Sequence, residues 1–463
     1  MSRPSPTSRR GDGRATLPVA LLLIAVVLMP VADRYLVSLV VPDSLRTATN
    51  FLSEALLLVA VAIIGLRSWR NRTLGLALRH PVTWLAAGFA IVAAASAVAN
   101  GVPPLIAMAG IGFTIEAVAL FVLPRMAGVD IWQARLALIG FAAVALVAAI
   151  LALAQVVLDA NFLGLQSFTG RFSEGHRVAA FLVNPNMLGA VLAMAIPMPL
   201  LAAVRAEGRH RLPYAAATFV LALALLYTFS RGAWLGLALA GVVLAVAVDW
   251  RVLVGLALVA ILALATAAVL PRHVLDPDPA DPEFALGPAI FGRLGTISEG
   301  TDLRLQFITN ASQIIADHPL LGAGPGRYGG AVAWRFGSPL YDQYTDGSVP
   351  EGRTVDNFWL HLLAEVGVLG TLLFGAALAL ATWQALRTAR ASSGWSRIVP
   401  AAAASVAIVI AVDSATEMLL EGNTTSFATW FFLGLASAVA AGPAARQAAG
   451  AAGEPAASRP RDR

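Results

Sequence analysis

Residues 218–248 read T-F-V-L-A-L-A-L-L-Y-T-F-S-R-G-A-W-L-G-L-A-L-A-G-V-V-L-A-V-A-V. Two apolar runs, each near the ~20 residues that cross a hydrocarbon layer as a helix, are joined by Ser230-Arg231-Gly232. So short a joint makes the runs antiparallel neighbours and leaves Arg231 at the rim. The same alternation of apolar run and short polar joint continues in both directions. Of the 463 residues 58% are hydrophobic and only 13% charged, with a mean hydropathy of +0.75. A soluble chain carries about 25% charged residues. In lipid only helices and closed barrels satisfy every backbone polar group, and runs of this length are helical. The fold class is therefore all-α, a polytopic membrane bundle.

About twelve spans follow, near 16–32, 49–66, 81–99, 104–123, 136–158, 178–204, 212–229, 232–249, 252–270, 356–380, 398–416 and 426–442. They divide the chain into a disordered cytoplasmic tail at 1–15, nine spans in 16–270, a long extracytoplasmic loop at 271–355, three spans in 356–442 and a second disordered tail at 443–463. The basic start followed by an apolar run resembles a signal peptide, but with so many spans behind it a retained first helix is expected. There is no transporter-like internal repeat.

The net charge of +5 and isoelectric point near 10.2 invite a nucleic-acid reading. All 32 basic residues are arginine, however, and they cluster between apolar runs. With the N-terminus inside, 21 of the 32 fall in cytoplasmic segments, six in the long loop and five in short outer connections. This is the positive-inside pattern of a cytoplasmic (inner) membrane protein with both termini cytoplasmic, not a basic face for nucleic acid. With no Cys there is no disulfide or thiol nucleophile.

Four stretches break the pattern. In S-R-G, Arg231 faces outward, on the side the charge bias disfavours. It is either a snorkelling side chain or, with Ser230 and Gly232 at a helix start, a guanidinium beside a ready anion site. In H-R-V-A-A-F-L-V-N-P-N-M-L-G (176–189), Asn184-Pro185-Asn186 fits a kinked cap, with Arg177 a second outward cation. The long loop opens on an extended D-P-D-P-A-D-P-E linker (276–283). It continues into an amphipathic helix with Thr301 as N-cap, Pro319 as its stop, and Leu303, Phe307, Ile308, Ala311, Ile314 and Ile315 on one face. H-P-L-L-G-A-G-P-G-R-Y-G-G (318–330) follows. Without Gly-Lys-Ser/Thr it is no nucleotide loop. Gly322, Gly324 and Gly326 fit a tight turn that exposes backbone to a ligand, and His318 fits a helix-end cap better than a metal ligand.

The fourth stretch is V-D-N-F-W-L-H-L-L-A-E-V-G-V-L-G (355–370). Asp356 stands where an N-cap belongs and equally where a general base would meet the outer mouth. Glu365, nine residues on and roughly 13 Å deeper along a helix, is costly in lipid unless paired or wetted, which marks it as a functional candidate. Glu54 and Glu116 raise the same question.

Together, R-V-A-A-F-L-V-N-P-N-M-L-G, S-R-G-A-W-L-G, the outer segment from Arg304 to Tyr328, and D-N-F-W-L-H-L-L-A-E-V-G-V-L-G resemble, in order, the O-antigen ligase and polymerase family of bacterial membrane glycosyltransferases. The resemblance implies a fold like the class C glycosyltransferases. It also implies transfer of a glycan from a polyprenyl-diphosphate-linked donor to a glycan or lipid-glycan acceptor on the outer face of the membrane. The resemblance implies no nucleotide sugar, and no cofactor or metal is expected. Family arginines that hold the diphosphate fall on Arg231 and Arg304. The ligases carry a His-Asn pair ahead of Gly-x-x-Gly; here Asn357, Gly367 and Gly370 keep the spacing, while Asp356 replaces the His and His361 lies one turn too deep. The resemblance thus casts Asp356 as base with Arg231 and Arg304 as catalytic partners, and Arg177, Asn186, Ser230, Gly322, Gly324, Gly326, Asn357 and Glu365 as substrate contacts. The replacement of His by Asp leans towards a polymerase-like or unspecified glycan transferase, with a polymerase extending a lipid-linked glycan as the alternative to a ligase. A transporter or lipid-linked glycan flippase, a cell-wall glycan polymerase and a scaffold are the alternatives.

Overall fold

The computed structural model describes residues 15–40, 52–71, 74–158, 162–165, 177–182, 184–270, 301–344 and 356–451. The 276–283 linker lies outside them, and so do the side chains of residues 301–305. The described chain is all helix and connection, and the protein is a polytopic helical membrane protein. Among the described residues ten helices are long and apolar enough to cross a bilayer, and Leu17–Val31 and Arg231–Ala247 are shorter apolar ones. Their positions match the twelve expected spans to within a few residues at most boundaries.

The spans differ widely in burial. Pro185–Arg205 is 83% buried and Arg251–Val269 only 17%, so the first lies at the centre and the second faces lipid. Ala401, Ala402, Ala403 and Ala404 of the helix Trp395–Asp413 are fully buried. A Cβ on Gly236 would stand 2.7 Å from the Val409 carbonyl oxygen, and one on Gly434 2.6 Å from that of Leu120. Helices in lipid associate by this kind of close backbone approach, which small residues permit.

Three elements depart from expectation. The segment read as the start of the sixth span is not helical. Ala180 has φ 50, Val178 to Leu182 are buried, and the helix begins only at Pro185, capped by Asn184. The Gln155 side chain accepts the Ala180 N–H at 2.9 Å. Irregular backbone survives among membrane helices when protein covers and satisfies it. The tenth span, Phe358–Ala391, is broken at Gly367 (φ 65, ψ −171). The last helix runs on to Ala451, so 443–451 is helical, in keeping with its alanines.

The loop segment forms a small module of its own. The helix Thr301–Asp317 ends before Pro319, and short helices follow at Ala331–Phe336 and Pro339–Tyr344. Phe307, Ala311 and Ile314 join Ala323, Tyr328, Ala333, Leu340 and Tyr341 in one buried cluster that rests on Ala364 of the broken span. Ile308, expected on the buried face, is 44% exposed. The module meets the helices at one end of the bundle, the loop end.

Candidate active site

The S-R-G joint is built from three sides. Phe229 takes a left-handed conformation (φ 49), which ends one helix and lets the next begin at Arg231. Arg231 is exposed at that helix start, and Ser230 is buried. A Cβ on Gly189 would come within 2.6 Å of Ser230 Cβ, so the helix opened by Asn184-Pro185-Asn186 lies directly against the joint. A Cβ on Gly232 would overlap Asp413 Oδ1 and Thr416 Oγ1. The turn after the helix Trp395–Asp413 therefore occupies the space beside the first turn of Arg231–Ala247, with the Asp413 side chain against that helix start.

Arg177 and Asn186 extend this arrangement. Arg177 Nε donates to the Thr228 carbonyl at 2.7 Å. Its Nη2 donates to Asn186 Oδ1, and Asn186 Nδ2 donates to Glu417 Oε1. Expected as an outward cation and as part of a kinked cap, Arg177 and Asn186 form one polar chain from the S-R-G joint to the 413–417 turn.

The 356–358 segment reaches the same turn. The Phe358 N–H donates to the Ser414 carbonyl at 2.9 Å. The N-cap of this helix is Asn357, whose side chain accepts the Leu360 N–H at 3.1 Å. Asp356, expected as the cap, is one residue outside it and half-buried. Arg231 and Asp356 thus flank a shared element, the 413–417 turn. Arg304 belongs to the helix Thr301–Asp317, and its side chain is outside the described residues.

The glycine-rich turn does something other than expose backbone to a ligand. It straps itself to the break at Gly367. Ala323 and Gly324 N–H donate to the carbonyls of Ala364 and Glu365 at 2.8 and 2.9 Å, while Val368 and Leu369 N–H donate to those of Pro319 and Leu320 at 2.9 and 3.3 Å. Groups left unpaired by the break are satisfied across it. Gly322 (φ 70) and Gly367 are both required to be glycine, since a Cβ on either would overlap the other strand of the strap. Gly324 (φ 112) and Gly326 (φ 77) are likewise in conformations that favour glycine.

Glu365 is the anchor of this strap. It is 3% exposed, and its oxygens accept the N–H groups of Gly326 (2.8 Å) and Tyr328 (2.7 Å). A carboxylate at this depth must be compensated, and here backbone N–H groups do so. Gly322, Gly324, Gly326 and Glu365, expected as substrate contacts, thus hold the strap together. His361 is buried beside Glu365, with Nδ1 on the Tyr328 carbonyl and Nε2 3.7 Å from Glu365 Oε2. Of the earlier carboxylates, Glu54 accepts from Asn423 Nδ2 at 2.6 Å, and Glu116 sits in a 3-10 turn.

The connection D-S-A-T-E-M-L-L-E-G-N (413–423) carries no motif that singles it out in the sequence. Asp413, Glu417, Glu421 and Asn423 all point into the assembly, and Glu421 accepts the Ala331 N–H at 3.1 Å. Six polar side chains in eleven residues between two spans, three of them carboxylates, is the signal the sequence carries. It resembles an ordinary solvated hairpin until its partners are known.

No curated protein matches the chain. Residues 216–375 match the family model described as O-antigen ligase. The match opens before the S-R-G joint, takes in the whole loop module and closes just past the Gly367 break, so it covers the joint, the module and the Asp356 segment in a single stretch. Over that stretch, set in a bundle of membrane helices, the chain is similar to the O-antigen ligase family.

Proposed function

We propose that the protein is a glycosyltransferase that moves a glycan from a polyprenyl-diphosphate carrier to an acceptor hydroxyl on the outer face of the cytoplasmic membrane. The observation that carries this reading is the meeting of the Arg231 helix start and the Asp356 segment on the 413–417 turn. A helix N-terminus with an exposed guanidinium suits a diphosphate. A half-buried carboxylate outside the cap suits a base. The arginine bias of the short connections supports N- and C-termini in the cytoplasm, with the loop end outside.

Negative charge grows on the leaving diphosphate as the glycosidic bond breaks. Arg231, with Arg304 as its partner from the loop helix, stabilises that growth. Asp356 takes the proton of the acceptor hydroxyl, whose oxygen attacks the anomeric carbon. One displacement inverts that carbon. Preorganised donors of this kind are each worth about 3 kcal/mol, or roughly a hundredfold in rate. Arg231→Ala should therefore lose at least that much transfer from a polyprenyl-diphosphate oligosaccharide in membrane vesicles, and Asp356→Asn should lose transfer while the protein stays folded. Wild-type turnover in Arg231→Ala would sink the diphosphate site.

A polymerase is the second reading, favoured by Asp356 in the position where the family's ligases have His. Gene deletion separates the two. Loss of glycan from the acceptor with intact chain length marks a ligase, and collapse to single repeat units marks a polymerase.

A further inference from the structure

Besides Ile308, the described residues of the loop module leave Leu320 at 62% exposure, Trp334 at 59% and Phe336 at 50%. Each stands next to a spanning helix whose own apolar side chains point outward. The Leu320 carbonyl accepts the Leu369 N–H, and Leu369 and Leu372 are 44% and 63% exposed on the span Phe358–Ala391. The helix Ala331–Phe336 packs against Pro104–Ile115. Between them lies Gly326, where a Cβ would be 2.9 Å from both the Ile106 carbonyl oxygen and Val332 Cγ1. Leu105 and Met108 of that second helix are 66% and 70% exposed.

The short helix is two-faced. Val332 and Ala333 are buried, while Trp334, Arg335 and Phe336 are all exposed. The exposed apolar side chains of the module thus continue, at two places, the surfaces that the spans present to lipid. We propose that Leu320, Trp334 and Phe336 sit in the headgroup–acyl boundary, so that the loop module is held down on the bilayer by its own interfacial anchor. Tryptophan suits that layer because its ring is apolar and its N–H polar. Arg335 between the two aromatic residues is placed to meet lipid phosphates. The occupant of this surface is the bilayer because the patch is continuous with lipid-facing side chains of two separate spans. The inference needs only the membrane fold and is independent of the reaction.

The chain contains no Cys, so single cysteines can be introduced without background. Trp334→Cys, Phe336→Cys and Leu320→Cys, each carrying an environment-sensitive fluorophore, are measured in full-length protein in liposomes containing lipid spin-labelled near the headgroup. Met108→Cys serves as the lipid-facing reference and Ser312→Cys, exposed on the loop helix, as the aqueous one. Emission at 320, 334 and 336 should be lost to the lipid label to the extent seen at 108 and several-fold more than at 312. Quenching at these positions by aqueous iodide but not by the lipid label would overturn the anchor. So would a lipid signal that appears only above the concentration at which a second copy associates. Any one variant that fails to fold leaves two others to decide.

Discussion

Gly232 shows how much a single missing methyl can determine. A methyl there would overlap Asp413 and Thr416, and no side chain fits. Gly232→Ala must push the 413–417 turn away from the helix start that carries Arg231. Overpacking of this kind costs about 1–3 kcal/mol, so the variant should melt lower in detergent and lose transfer activity together. Gly112→Ala, where a Cβ meets nothing within 4 Å, is the matched control and should do neither. Because Asn357 is the cap, Asn357→Ala should cost about 1 kcal/mol of stability by loss of its bond from the Leu360 N–H, a drop that thermal scans would show.

Among the elements, the broken span and its strap are the most sharply defined. Gly367→Ala would force an alanine to φ 65, ψ −171 and into the Leu320 carbonyl, a region of backbone space open essentially to glycine alone. Gly375→Ala, in the same helix with nothing within 4 Å, should be tolerated. Proteolysis of the loop module should distinguish them, with the first variant cleaved faster and the second unchanged. The module also has a stated response to pH. The Tyr328 hydroxyl donates to the Phe307 carbonyl and the Tyr341 hydroxyl accepts the Gly329 N–H, both at 2.9 Å. Burial raises both phenols above their ordinary 10.0. A phenol whose folded pKa lies above its unfolded value gives stability that is complete below the unfolded pKa and is lost as pH rises towards the folded one. Protease protection of the module should accordingly be flat through neutral pH and decline above about pH 10.

At the scale of the whole molecule, the spans are legible in the sequence because a bilayer imposes one length and one polarity on every helix that crosses it. Pro81–Ala99 has the expected bounds and most others differ by a few residues. The S-R-G joint is legible for the same reason, since an arginine between two apolar runs has few places to go. What escapes is whatever depends on a partner far along the chain. Residues 178–182 are as apolar as a span and still irregular, because groups that satisfy them lie on other helices, Gln155 accepting the Ala180 N–H and the Tyr227 carbonyl that of Val178. Glu365 reads as a site residue from depth alone, and only the N–H groups of Gly326 and Tyr328, which reach it from far earlier in the chain, reveal an anchor. The 413–423 turn is hidden similarly, as polar residues near helix ends are ordinarily solvated.

The strap across the Gly367 break also sets how the protein yields to force. Four backbone hydrogen bonds tie Pro319–Gly324 to Ala364–Leu369, in shear across two stretches of chain that a pull from one terminus would load in succession. Drawn out of a membrane from its C-terminal end, the upper part of Phe358–Ala391 cannot leave without tearing that clamp. Single-molecule extraction should therefore show a rupture peak at the break, higher than the helix alone would give, and Gly367→Ala should erase it.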